Sequence, residues 1–358
     1  MVRQAWPRLR SRAAVAAVPG FFAARDPGHE ALTVEILGPG RELRRRSMKF
    51  GGELRVTAHK ASPTQALPPG WCQEWRVLRF IPERASSNLI QAINKVCIDT
   101  DAKTEQCRNC LLMPYTKSIV SAVMSVLVMV GAPVFESAEE RPLKVLCIGL
   151  GGGSIPSFLV DMLPGCLVDV VEVEPAVIES LEAMGFQPDD HIRLWLEDGA
   201  QFVCRAVDTF AVGKADATGP YDAVIVDAYD ADGCVPDAFT MADTFFSQAL
   251  AAGLLSQRSV LVTNFLPGTD LGPVLSCQAE ALSNRSDCLS FAIQAEGSGN
   301  LLALQVCGSP MRRPTKAELR LRLWLAARTV ESNTTCPFRV SRLVAKGLQQ
   351  IQIRGKRV

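Results

Sequence analysis

Between Lys144 and Gly308 the chain alternates short β-branched runs with stretches of helical spacing, and nothing else in the sequence narrows the fold so much. The runs are VLCIGL, LVDVVEV, IRLWL, YDAVIVDA, SVLVTNFL, LSFAIQ and LLALQVC. Apolar runs separated by helices imply parallel strands, with crossover helices covering both faces of their sheet. Only AEGSGN joins the last two runs, too little for a crossover helix, so these strands pair antiparallel as a hairpin. The expected fold class is α/β, a Rossmann-like seven-stranded sheet with its last strand antiparallel.

Other segments attach to this sheet. From Ala31 to about Ile81, β-like runs (LTVEIL, ELRVTA, WRVLRFI) alternate with the turn clusters GPG and LPPG. They predict a small β-rich N-terminal domain over 31–112, ahead of an α/β domain over 113–310. Residues 118–135 are uncharged, a length that borders on a membrane span. Gly131 and Pro133 break the run, and it leads into the first strand, so a buried helix is expected. The tail, 311–358, reads as basic helices whose apolar residues can dock on the body. Residues 1–30 form a basic leader with five arginines and no acid before Asp26, the composition of a transit peptide or of a disordered arm.

Charge and cysteine usage exclude some classes of function. Lys and Arg less Asp and Glu give 12 − 5 = +7 for residues 1–60, 14 − 30 = −16 for 61–309 and 12 − 2 = +10 for 310–358. An acidic body between basic ends lacks the single basic face of a nucleic-acid binder and suits a cationic guest. Of twelve cysteines only Cys107 and Cys110 form a CxxC, and the three histidines lie far from it, so no zinc site is expected. Cysteines inside apolar runs indicate a reducing compartment, the cytoplasm, with an organelle as the alternative that the leader suggests.

The chemistry concentrates at strand ends. Gly149, Gly151, Gly152 and Gly153 follow the first strand directly and precede a helix, where backbone amides can approach a nucleotide-type ligand. Glu172 ends the second strand, where a carboxylate can accept from both ribose hydroxyls. Asp198 and Gly199 follow the third strand, where the acid could hold an adenine amino group. Asp227 closes the fourth, beside the switch point of the sheet. This ordered set favours an adenosyl-sulfonium ligand over a nicotinamide dinucleotide, whereas a tight turn alone accounts for only one of the glycines.

On these motifs the chain resembles the spermidine synthase-like branch of the Rossmann-type S-adenosylmethionine-dependent methyltransferases. Within it, GLGGGSIPSFLVDMLPG and VDVVEVEPAVIE are most similar to the C-terminal domain of the dual methyltransferases of elongation factor 1-alpha. Aminopropyltransferases of the branch carry an aspartate after the glycines, which holds the amine of the decarboxylated cofactor; here that place is Ser154. An aspartate there would repel the carboxylate of intact S-adenosylmethionine, and serine does not. The family's Tyr-x-Glu appears as Tyr115-Thr116-Lys117, an acid exchanged for a base.

The resemblance therefore implies S-adenosylmethionine as cofactor and methyl transfer to an amine. Asp227 and Asp230 are the candidate catalytic acids, and Tyr115 and Tyr229 lie on the substrate side. The expected partner is a protein, such as a translation factor, or a small amine, with a second copy of the chain as a further partner. Neither nucleic acid nor membrane is expected. The alternatives are an aminopropyltransferase acting on a polyamine and a noncatalytic interaction module of the same fold. On the residues alone, Asp227 and Asp230 could equally be solvated acids capping the next helix.

Overall fold

The computed structural model describes residues 40–61, 67–81, 89–136, 141–211, 220–230, 234–285, 287–311, 314–349, 352–353 and 356–357. The leader and the run LTVEIL lie outside these. Five antiparallel strands come first: β1 (Arg41–Ser47), β2 (Glu53–Lys60), β3 (Cys72–Ile81), β4 (Leu89–Ile98) and β5 (Thr104–Gln106), each paired with the next. β1 carries RELRRRS, with no apolar alternation to announce a strand; its backbone pairs with β2 while its arginines meet Glu42, Glu53 and Glu179.

The α/β part follows as α1 (Pro114–Met129), β6 (Leu143–Ile148), α2 (Ser154–Met162), β7 (Cys166–Glu172), α3 (Pro175–Glu179), β8 (Ile192–Leu196) and α4 (Gly199–Ala211). Then come β9 (Tyr221–Val226), α5 (Asp237–Thr240), α6 (Phe245–Ala251), β10 (Leu255–Phe265), α7 (Gly272–Ala281), β11 (Leu289–Gln294) and β12 (Leu301–Cys307). The tail adds α8 (Lys316–Asn333), α9 (Val340–Gly347) and β13 (Leu348–Gln349). The sheet runs β13-β11-β12-β10-β9-β6-β7-β8. β6 to β10 are mutually parallel, and β12 is antiparallel to both β10 and β11, so the hairpin forms as expected.

Alternation of side chains divides the core between the two faces of this sheet. Val145 and Cys147 of β6, Ala223 and Ile225 of β9, and Val260 and Val262 of β10 face α1, α2, α8 and α9. Leu146, Ile148, Val224, Val226 and Leu261 point the other way, to α4, α6 and α7. Leu54 and Val56 of β2, Leu78 of β3 and Ala92 of β4 join the first core, which seats the N-terminal sheet on that face.

Two sequence expectations shift. The uncharged run folds as a buried helix, but it begins at Pro114, where proline costs nothing in the first turn, and ends before Gly131, whose φ is +71°. The tail is helical only to Gly347; Leu348 and Gln349 pair with β11, adding an eighth strand to the seven expected. Among the described residues no helix is long and apolar enough to cross a membrane.

Candidate functional site

The crevice lies where the sheet changes direction. β6 pairs with β7 on one side and β9 on the other, so the chain leaves β6 toward one edge and later returns past it. Ligands of open α/β sheets sit outside the strand ends at such a switch point. The ends of β6 and β9 stay joined there, with the Asp227 amide donating to the Ile148 carbonyl at 2.9 Å. Gly149 has φ +95°, and a Cβ on it would lie 2.2 Å from the Asp227 carbonyl oxygen, so only glycine fits.

Gly151 and Gly153 carry the turn onward, and α2 starts at Ser154 with no side chain capping its first amides. Those amides and the helix dipole make a seat for an anionic group. Gly152 is held from the N-terminal sheet. Asn94 of β4, wholly buried, donates through Nδ2 to the carbonyls of Gly152 at 2.6 Å and Met184 at 3.1 Å. A Cβ on Gly152 would come 2.8 Å from Ala92 Cβ, so strand β4 shapes the back of the glycine turn.

Glu172 ends β7 almost fully buried. Its Oε2 accepts from the Leu150 amide at 3.0 Å and its Oε1 from the Glu174 amide at 2.9 Å. Each oxygen keeps a second acceptor direction for a ligand hydroxyl. Burial raises its pKa, and the amides of Glu174, Leu150 and Val173 oppose that rise. Val173 next to it is exposed, an apolar wall at the same strand end. Glu174, also buried, accepts from the Lys49 amide and from the Ala176 amide at the start of α3, tying the β1–β2 turn to this edge.

Asp198 is exposed, and its Oδ1 accepts from the amides of Ala200 and Gln201, so it caps α4 and has Oδ2 left for a ligand. Gly199 is a packing position, where a Cβ would lie 2.7 Å from Ile148 Cγ2.

The structure separates the two candidate acids. Asp227 is partly buried and accepts from Asn264 Nδ2 at 2.9 Å. Asp230 is exposed and accepts from the Cys234 amide across its own loop. Tyr115 and Tyr229 both lie within reach of the Asp227 charge: burial first and that charge second push both phenols up, and Tyr229 adds to the Tyr115 rise. Tyr229 donates to the Asn264 carbonyl at 3.2 Å and Tyr115 to the Gln91 carbonyl at 3.4 Å. Lys117, which replaces the family's acid, is buried within α1.

Sequence reasoning missed three asparagines. Asn264, the last residue but one of β10, holds Asp227; Asn300, before β12, donates to Asn264 Oδ1 at 3.2 Å; Asn94 grips the glycine turn. The signal for Asn264 was present, a polar residue near the end of the apolar run SVLVTNFL. Within the CxxC the Cys110 amide donates to the Cys107 carbonyl at 3.0 Å, and Cys107 Sγ lies 3.5 Å from Cys97 Sγ on β4. Among the described residues no cluster of His, Cys, Asp and Glu could hold a metal.

Burial pushes the Asp227 pKa up to about 6, against the pull of the Asn264 hydrogen bond. A carboxyl whose folded pKa lies above its unfolded one favours folding while protonated, and that contribution is lost as pH rises through about 6. At neutral pH the buried charge then costs at most about 3 kcal/mol. Asp227→Asn keeps an acceptor for Asn264 and removes the charge. It is expected to stabilise the fold by about 1–3 kcal/mol at pH 8 and hardly at all near pH 4. Scanning calorimetry at both pH values checks this, and an unchanged midpoint at pH 8 would refute it.

An open α/β sheet in this order, with a glycine turn and strand-end acids at one crevice, is a Rossmann-like fold, the fold that the resemblance to spermidine synthase-like methyltransferases implies. Comparison with known proteins bears out that relation. The chain is 31% identical over 139 residues to the eEF1A lysine and N-terminal methyltransferase of Bos taurus, covering 37% of this chain and 18% of that protein. It is 32% identical over 127 residues to the polyamine aminopropyltransferase of Vibrio vulnificus, covering 35% of this chain and 38% of that one. It therefore spans well under half the length of these curated relatives. A probable spermidine synthase from Corynebacterium glutamicum shares the fold, with a TM-score of 0.51 at 13% identity over 81% of this chain and 88% of that one. No family model matches.

Proposed function

We propose that the chain binds S-adenosylmethionine and transfers its methyl group to an amine on a protein, a lysine or an N-terminus. The observation that carries this is Ser154 at the uncapped start of α2: the glycine turn offers amides to a carboxylate and no acid that would repel one. The donor set fits the cofactor. Glu172 would take the ribose hydroxyls, Val173 and Asp198 Oδ2 would border the purine, and the first amides of α2 would take the amino-acid carboxylate. The cofactor would supply a methyl group on a sulfonium, a good leaving group that asks for alignment more than for acid-base help.

The chain's own residues then serve the acceptor. Asp227, with its pKa near 6, is mostly ionised at neutral pH and can attract an ammonium group and take up its proton. Tyr115 and Tyr229, kept as neutral phenols, border that position as hydrogen-bonding walls. Asn264, itself held by Asn300, fixes the Asp227 carboxylate. Asp230, exposed and engaged in its own turn, is placed to draw cations toward the mouth. A protein acceptor is supported by the eEF1A methyltransferase relatives; the aminopropyltransferase relatives support an amine as the acceptor group.

Isothermal calorimetry with intact and with decarboxylated S-adenosylmethionine tests the proposal. Intact cofactor is expected to bind at least tenfold more tightly. Equal or tighter binding of the decarboxylated form would overturn methyl transfer in favour of aminopropyl transfer, and binding of neither would overturn both.

A further inference from the structure

The tail helix α8 has two apolar faces and uses only one. Leu319, Leu323, Ala326, Ala327 and Val330 are buried, and α8 and α9 together pack on α1. Leu321, Trp324 and Leu325 are spaced i, i+3 and i+4 on the outer side, exposed by 56%, 42% and 48%. Three adjacent large apolar side chains in water, on a helix already docked, mark an interaction surface. Beside them an open groove of about 590 Å³ lies between α8 and α9, lined by Arg320, Trp324, Arg339, Arg342, Ala345 and Lys346.

The charge of this surface is net positive. Arg342 and Lys346 share Glu296, at 2.8 and 2.6 Å, while Arg320, Arg322 and Arg339 have no ion pair among the described residues. The leader, residues 1–30, is itself net positive, with five arginines against Asp26 and Glu30. Phosphate backbones would use the arginines, but they have no use for Leu321 and Leu325; an acidic amphipathic peptide uses both.

The surface also adjoins the crevice. Glu296 sits in the β11–β12 turn that ends at Asn300, and Asn300 holds Asn264, which holds Asp227. A chain lying in the groove therefore passes beside the turn that bounds the amine position.

We propose that the outer face of α8 and the α8–α9 groove dock an acidic amphipathic helix of the same protein that presents the acceptor amine. This rests on the protein-acceptor reading above, deepens it, and is tested apart from it. The probe is a 20-residue peptide with leucines at i, i+3, i+4 and i+7 flanked by glutamates; a lysine-for-glutamate version and a 20-nucleotide single-stranded RNA serve as comparisons. The acidic peptide is expected to shift Trp324 fluorescence at micromolar concentrations and to lose at least tenfold in affinity between 50 and 300 mM salt.

Arg320→Glu and Trp324→Ala should each weaken that binding at least tenfold, while calorimetric binding of S-adenosylhomocysteine stays unchanged and shows that the variants are folded. Absence of peptide binding, equal binding of the lysine peptide or of the RNA, or a dimer in sedimentation that Trp324→Ala dissolves, would each overturn the proposal. Loss of S-adenosylhomocysteine binding by the unaltered chain would instead strike at the cofactor reading, so the two failures are distinguishable.

Discussion

Replacing Glu172 by alanine is expected to weaken S-adenosylhomocysteine binding at least 100-fold in calorimetry. The carboxylate would make two charge-assisted hydrogen bonds to the ribose, each worth about 1.5–3 kcal/mol, and their joint loss corresponds to a factor of about 100 or more. The substitution also releases the Leu150 and Glu174 amides that the carboxylate holds, loosening the glycine turn and the strand end together. Glu172→Gln should lose less, since its carbonyl oxygen can still satisfy one amide. Unchanged affinity in Glu172→Ala would remove the adenosyl ligand from this crevice.

The second large effect concerns stability. Gly149→Ala is expected to destabilise the fold by about 4 kcal/mol, lowering the thermal midpoint by on the order of 10 °C. Alanine at φ +95° is strained, and its Cβ would lie 2.2 Å from the Asp227 carbonyl oxygen, so the ends of β6 and β9 must part. Gly253 is the control. Its φ is +101° but a Cβ there meets nothing within 4 Å, so Gly253→Ala should cost only the backbone strain, about 1–2 kcal/mol. Equal midpoints for the two variants would show that the junction of β6 and β9 is not closed as described.

The parts of the site legible in the sequence were those built by one strand and its following turn. Gly149, Gly151, Gly152 and Gly153, together with Glu172, Asp198 and Asp227, each end an apolar run, and a parallel sheet aligns all such ends along one edge. Their neighbours were harder to see. Asp227 and Asp230 look like one acidic pair over three residues, yet the first is held in the crevice by Asn264 and the second turns outward to the Cys234 amide. Tyr115 comes near enough to feel the Asp227 charge only because α1 packs across the sheet face, which brings together residues more than a hundred positions apart.

The N-terminal sheet shows the same division. β2 and β3 announced themselves by apolar β-branched runs, but the charged strand β1 and the strand β4 that carries Asn94 did not. Asn94 gains its importance from a backbone carbonyl 58 residues away, and no pattern around NLIQAINKVCI encodes that carbonyl.

The sequence by itself determined the alternation of strands and helices, the antiparallel closing hairpin and the identity of the strand-end acids, because periodicity and turn chemistry are local properties of the chain. The tertiary structure alone decided which polar groups meet. The asparagines around Asp227, the grip of β4 on the glycine turn, the addition of β13 to the sheet and the second apolar face left open on α8 all follow from packing between distant segments, where a side chain's role is set by the surface brought against it.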